Sequence, residues 1–134
     1  MEITIVKEFT FDAAHYLPNH PGKCQNTHGH TYRLQVGFTG PVDLETGMVV
    51  DFGELKKTIE KIIVEKLDHT YLNLINDEKT VIPNFPCQLP TAENMVLWIT
   101  LELGKTAMAQ QEGLVELSFV RLYETPTSYA EWRR

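Results

Sequence analysis

Apolar and polar residues alternate over residues 3–12, so that Ile3, Ile5, Phe9 and Phe11 share one side of an extended chain. That period predicts a strand. Asn19, Pro21 and Gly22 then mark a loop that carries Cys24. A second alternation over residues 31–39 sets Tyr32, Leu34, Val36 and Phe38 against Arg33, Gln35 and Gly37, and Gly40-Pro41 ends it. The period then changes. Asp51, with Glu54 three residues on, makes a capping-box pattern. Phe52, Leu55, Ile59, Ile62 and Ile63 follow at helical spacing, and the helix is expected to end near Leu67. A loop rich in Asn and Pro runs to Pro90. Thr91 is a good N-cap for a second helix that holds Met95, Trp98 and Ile99 and reaches Leu103. Beyond Gln110-Gln111-Glu112-Gly113, the run 114–124 is dense in β-branched, aromatic and leucine residues and predicts a third strand. Pro126 stops it, and 128–132 predicts a short fourth.

The expected order is therefore ββααββ: an α+β domain spanning residues 1–134, with a four-stranded antiparallel sheet and two helices on one of its faces. The other face keeps apolar or bulky side chains, which predicts that copies of the chain associate.

Composition narrows the class without naming a chemistry. A chain of 134 residues buries a core without disulfide staples. Its 43% hydrophobic and 22% charged residues are ordinary for a globular protein. The net charge of −6 argues against a nucleic-acid surface, which needs a basic patch. No stretch is long and apolar enough for a membrane span, and the start is not a signal peptide. With Cys24 and Cys87 alone there is no disulfide framework, and a reducing cytoplasm is the expected setting.

The chemistry is concentrated near the N-terminus, in His15 and in Cys24-Gln25-Asn26-Thr27-His28-Gly29-His30. His28 and His30 are two apart, so on an extended chain both imidazoles point to one face. His15 supplies a third ligand if its segment pairs with the strand carrying His30. Gly29 faces the other way and tolerates close approach of another backbone. Zinc suits three neutral imidazoles, and three protein ligands leave a fourth position open, as catalytic sites require. Cys24 has two readings beside that of an inert thiol. It is a fourth ligand closing a structural site, or a thiolate beside the metal that moves a proton or attacks carbon.

Other candidates are weaker alone. Asp68-His69 follows a helix end, where a histidine commonly complements the dipole; it is also a carboxylate–imidazole pair fit for proton transfer. Glu124 closes an apolar strand, either as a solvated end or as an acceptor for two parallel N–H bonds from a ligand edge. Thr91-Ala92-Glu93-Asn94 reads first as a helix start. His20, Cys87 and Trp98 read as structural: surface loop, loop thiol and core.

Taken together, Phe11-Asp12-Ala13-Ala14-His15, Cys24-x-x-x-His28-Gly29-His30, Asp51-Phe52, Leu67-Asp68-His69-x-Tyr71-Leu72-Asn73, Pro90-Thr91-x-Glu93-Asn94 and Tyr123-Glu124-Thr125 resemble the 6-pyruvoyl-tetrahydropterin synthase / 6-carboxytetrahydropterin synthase family. The pyruvoyl-forming branch usually keeps two more residues between the cysteine and the paired histidines. The shorter spacing here is similar to that of the bacterial carboxytetrahydropterin synthases, which act early in the route to queuosine and related 7-deazapurines. The resemblance implies 7,8-dihydroneopterin triphosphate as substrate, with 6-carboxy-5,6,7,8-tetrahydropterin, acetaldehyde and triphosphate as products. It implies that His15, His28 and His30 hold zinc, that Cys24 is a base, and that His69, polarised by Asp68, serves a second proton transfer. Glu124 is implied as the anchor of the pterin 2-amino and N3 edge, or as a relay with His69. Thr91 and Glu93 match pterin-contacting positions. The resemblance also implies the tunnelling fold, a barrel of three subunits with two trimers stacked into a homohexamer. Active sites then lie at interfaces, where Cys24 and Glu124 can come from different chains. Lys7, Lys23 and Arg121 are candidate contacts for the triphosphate. Two other readings stand beside this one: the same chemistry ending at a pyruvoyl product or a simple side-chain cleavage, and a non-catalytic binding module stabilised by zinc.

Overall fold

The two alternating runs at the start of the chain pair with each other. In a computed structural model that describes residues 1–73, 85, 89–109 and 114–134, the elements in chain order are β1 (Glu2–His15), β2 (His28–Pro41), α1 (Phe52–Ile59, continued by a π-helical segment Glu60–Val64 and a last turn Glu65–Leu67), β3 (Thr70–Tyr71), α2 (Ala92–Gly104), β4 (Glu116–Thr125) and β5 (Ser128–Arg133). Cys87, most of the Asn- and Pro-rich loop and Gln110-Gln111-Glu112-Gly113 lie outside the described residues.

β1 and β2 run antiparallel from Glu2↔Pro41 to His15↔His28. Both outlast their apolar alternation, because each backbone polar group is satisfied by the facing strand for as long as that strand continues. β4 adds to β2 and β5 to β4, again antiparallel. The expected four-stranded antiparallel sheet is corrected in one respect. β3 lies parallel to the end of β1, at Ala13↔Thr70 and Ala14↔Tyr71, giving a mixed five-stranded sheet of order β3-β1-β2-β4-β5. Two residues carry no period, so the sequence alone does not show such a strand.

Both helices start where the capping residues indicate. Asp51 Oδ1 accepts the Glu54 N–H at 3.0 Å, and Thr91 Oγ1 accepts the Asn94 N–H at 3.2 Å. In α1 the buried residues Leu55, Ile59, Ile63 and Leu67 recur every four positions. That spacing drifts about 40° per step in a 3.6-residue turn; the wider π segment offsets the drift and keeps them facing the sheet. Phe52, placed among the apolar positions by spacing, stays half exposed at the helix start. Met95, Trp98, Ile99 and Leu103 of α2 are buried. Together the helices cover the sheet face formed by Phe9, Phe11, Tyr32, Leu34, Val120 and Leu122. Among the described residues no helix is long and apolar enough to cross a membrane.

The uncovered face carries bulky side chains, and these form a charged and aromatic lattice. Arg121 Nε meets Glu131 at 2.7 Å, Arg33 Nε meets Glu8 at 3.4 Å, and the Arg33 guanidinium sits 4.0 Å from the Tyr123 ring centre. Gly37 leaves the space that the Phe119 ring fills. β1 from Glu2 to Asp12 has no strand on its outer side among the described residues, and neither has β5.

At Gly40 a Cβ would collide with the carbonyl oxygen of Leu114, a backbone atom. Gly40→Ala is expected to lower stability by about 1–3 kcal/mol through overpacking, read as a lower urea midpoint at unchanged slope. An unchanged midpoint would show that the 114–115 backbone yields freely.

Candidate metal centre and flanking cavities

The β1–β2 register decides where the histidines meet. His15 stands directly opposite His28, and Ala13 opposite His30. Odd residues of β1 and even residues of β2 share the helix-covered face, so all three imidazoles turn to the same side at the end of the ladder. Their ligating nitrogens lie within 4.8 Å of one another, and these three residues can hold a metal ion. Gly29 does face away, as its position requires. The backbone atom nearest a Cβ built at 29 is Ala13 O, at an ordinary 3.7 Å.

Backbone carbonyls fix the tautomers. His15 Nδ1 lies 2.8 Å from Pro90 O, and His28 Nδ1 lies 2.7 Å from Asn26 O. A carbonyl only accepts, so both Nδ1 atoms carry the proton and both Nε2 atoms present lone pairs. These two lone pairs face each other across 3.1 Å. Two acceptors form no hydrogen bond, so the pair needs a shared cation. Burial lowers the pKa of His15, against the opposing pull of the Pro90 carbonyl and Glu124, and burial likewise lowers that of His30. A proton is therefore a poor candidate for that cation, and a metal is a good one. His30 Nε2 is buried and has no hydrogen-bond partner, as expected of an atom reserved for an ion. An ion bound at about 2.0–2.1 Å in a tetrahedral array separates its ligand atoms by roughly 3.3–3.4 Å, close to the His15–His28 spacing.

Around this centre the predicted residues divide between cavities. One of about 340 Å³ is lined by Cys24, Thr91, Glu93 and Glu124, with His20 and Tyr129. Cys24 and Glu124 thus share a cavity within a single chain. Cys24 sits on a short 3-10 turn, Lys23–Gln25, and is not part of the converging ligand set. His20 is therefore a wall residue, held by the Gly22 N–H on its Nδ1 at 2.9 Å. Trp98 is core, as expected. A second cavity, about 540 Å³, runs past Glu124, His30, Thr31 and Arg33. A third, about 460 Å³, joins His30 to Asp12, His69 and Thr70. Lys7, Lys23 and Arg121 line none of these three; Arg121 is engaged by Glu131.

Asp68 and His69 meet as paired. His69 Nδ1 is 2.9 Å from Asp68 Oδ1, and the imidazole is 78% exposed. The Asp12 N–H, donated to Asp68 Oδ1 at 3.0 Å, is the main cause holding that carboxyl below its usual range, with His69 second. His69 takes φ +57°, a left-handed conformation costly for a residue with a Cβ. Its N–H is donated to Asp12 O at 2.6 Å, which ties the turn to β1.

Several contributors are invisible in the sequence. The carbonyls of Pro90 and Asn26 orient imidazoles irrespective of side chain. Asn73 behaves as a strand edge: its Oδ1 accepts the Tyr16 N–H at 2.9 Å and its Nδ2 donates to Tyr16 O at 3.0 Å. Its motif position flagged Asn73 without assigning it a role. Glu124 lies nearer the histidines than a pterin anchor suggests, 3.7 Å from His30 Nε2 and 4.0 Å from His15 Nε2.

A family model described as 6-pyruvoyl tetrahydropterin synthase matches residues 4–134. The 6-carboxy-5,6,7,8-tetrahydropterin synthase of Haemophilus influenzae is 36% identical over 143 residues, covering 96% of this chain and 97% of the relative. The protein of that name from Synechocystis is 36% identical over 132 residues, covering 96% and 91%. Among solved structures, Caenorhabditis elegans 6-pyruvoyl tetrahydropterin synthase superposes with a TM-score of 0.77 at 25% identity, covering 100% of this chain and 96% of that one.

His28→Ala is expected to lose bound metal after dialysis, and Cys24→Ala to retain it at the wild-type ratio, both measured by elemental analysis of folded protein. Metal loss from Cys24→Ala would make the thiol a ligand and the site a closed one.

Proposed function

The chain belongs to the 6-pyruvoyl tetrahydropterin synthase family, and on that premise we propose that it is a zinc-dependent enzyme of pterin side-chain chemistry. Its substrate is 7,8-dihydroneopterin triphosphate, which with water gives 6-carboxy-5,6,7,8-tetrahydropterin, acetaldehyde and triphosphate, a step toward queuosine and other 7-deazapurines. One observation carries the reading: three imidazole nitrogens converge, two with tautomers fixed by backbone carbonyls, beside a cavity that also holds a thiol and two carboxylates. The short Cys24-to-His28 spacing and the names of the two bacterial relatives favour the carboxy product.

His15, His28 and His30 would hold the ion, which when bound acidifies a side-chain hydroxyl and stabilises developing oxyanion charge. Cys24, on the wall of the smaller cavity, takes the side-chain proton. His69 opens on the third cavity, which also reaches His30, and serves a second proton transfer. Asp68 holds His69 Nδ1 as a donor, which leaves Nε2 free to accept or return a proton. Thr91 and Glu93, at the start of α2, face the Cys24 cavity and contact the pterin ring. Glu124 accepts from the 2-amino and N3 edge in the bound state.

The open outer edges of β1 and β5 support assembly of copies edge to edge. A three-subunit barrel would enclose the charged lattice, and two such trimers make the homohexamer. A reducing cytoplasm suits a working thiol. A second reading, a pyruvoyl product, is favoured by the likeness to the nematode structure and keeps every residue role.

Zinc-loaded protein incubated with 7,8-dihydroneopterin triphosphate is expected to yield carboxytetrahydropterin and an equal amount of acetaldehyde, by mass spectrometry and an aldehyde assay. A pyruvoyl product would select the second reading, and no turnover by metal-loaded oligomer would sink both. Cys24→Ala and His69→Ala should each lower kcat about 100- to 10,000-fold, the usual worth of a positioned acid or base. Full activity in Cys24→Ala would remove the thiol from the mechanism.

A further inference from the structure

Glu124 has an environment that ring anchoring leaves unexplained. It reaches the metal cluster from the end of β4, and its two oxygens divide between two imidazoles, Oε1 toward His30 Nε2 and Oε2 toward His15 Nε2. Its side chain is 25% exposed. Among the described residues the carboxylate has no Lys or Arg partner and no hydrogen bond; the two imidazoles are its only ionic neighbours. Yet the Pro90 carbonyl at His15 Nδ1 leaves His15 Nε2 as a lone pair, and the buried His30 Nε2 has no hydrogen-bond partner. A carboxylate set against a lone-pair nitrogen is repelled unless a cation stands between them.

The distances place that cation. Imidazole nitrogen and carboxylate oxygen bind zinc at about 2.0–2.2 Å, which sets tetrahedral ligand atoms roughly 3.3–3.5 Å apart. Glu124 at 3.7 and 4.0 Å is about half an ångström outside that shell. A small side-chain rotation closes such a gap. The converging set itself is the three histidines alone, and among the described residues Glu124 is the carboxylate that comes within 4.0 Å of them.

We infer that in the free protein Glu124 fills the fourth ligand position of the metal held by His15, His28 and His30, and that a substrate bearing vicinal hydroxyls displaces it. This rests on the metal centre proposed above and deepens it. The displaced carboxylate stays on the wall shared with Cys24, Thr91 and Glu93, placed to accept the N–H groups of a ring edge. Ring recognition and opening of the metal are then one event: a ligand without hydroxyls leaves the ion capped, and one without the N–H edge leaves the released carboxylate unpartnered.

The test uses the full chain loaded with cobalt(II), whose visible absorption reports coordination, and imidazole as a neutral probe of the fourth position. Glu124→Gln keeps the volume and removes the strong ligand. A position filled about nine-tenths of the time weakens apparent affinity about tenfold, so the variant should bind imidazole at least about tenfold more tightly than wild type. A second measurement needs no variant: the infrared difference between zinc-loaded and metal-free wild type should show a shifted carboxylate stretch. Equal imidazole affinities, or no carboxylate shift on zinc loading, overturns the inference while leaving the three-histidine centre in place. Failure of the wild type to bind cobalt or zinc at all overturns that centre, and the inference with it.

Discussion

Everything at the site depends on the register of one antiparallel ladder. β1 and β2 pair without a break, and their last pair is His15 with His28. A slip of one residue would turn a whole strand over, because side chains alternate faces with a period of two. Phe9 and Phe11 would leave the core together with His15 leaving the metal centre. The apolar residues that fix the register are therefore also the residues that assemble the ligands. Burial of Tyr32, Leu34 and Val36 under the helices holds His28 and His30 in place from the same strand.

The ladder brings the imidazoles together, but other elements aim them. Pro90, just before the Thr91 cap, orients His15, so the start of α2 supports the histidine cluster as well as forming a wall of the Cys24 cavity. Asn94 Nδ2 donates to Leu89 O at 2.9 Å and steadies that approach. On the other side, Asp12 binds the turn carrying Asp68 and His69 through its backbone N–H and carbonyl. The Asp68–His69 pair and the three-histidine cluster thus share β1 as a common support, an arrangement that keeps distances between them constant. Burial lowers the pKa of His15 and of His30, while the His69 imidazole stays exposed on the outer cavity.

What the chain alone determined is what depends on period and residue type. Alternation placed the first two principal strands and residue type the last two, the caps at Asp51 and Thr91 placed both helices, and the pair spacing of His28 and His30 set two imidazoles on one face whatever else happened. Cys24, Asp68, His69, Glu93 and Glu124 were legible as motif members because thiols, imidazoles and carboxylates are the groups such chemistry uses, and Thr91 was legible as a helix cap. Tertiary structure decided what has no local signal. It paired His15 with His28, added the two-residue β3, and chose the carbonyls of Pro90 and Asn26 to set tautomers; a carbonyl belongs to every residue, so no sequence pattern marks it. It also built the bulky outer face as a lattice of arginine, glutamate and tyrosine, and set Glu124 against the three histidines. These are distances between residues remote in the chain, fixed only once the sheet register and the helix packing are jointly satisfied.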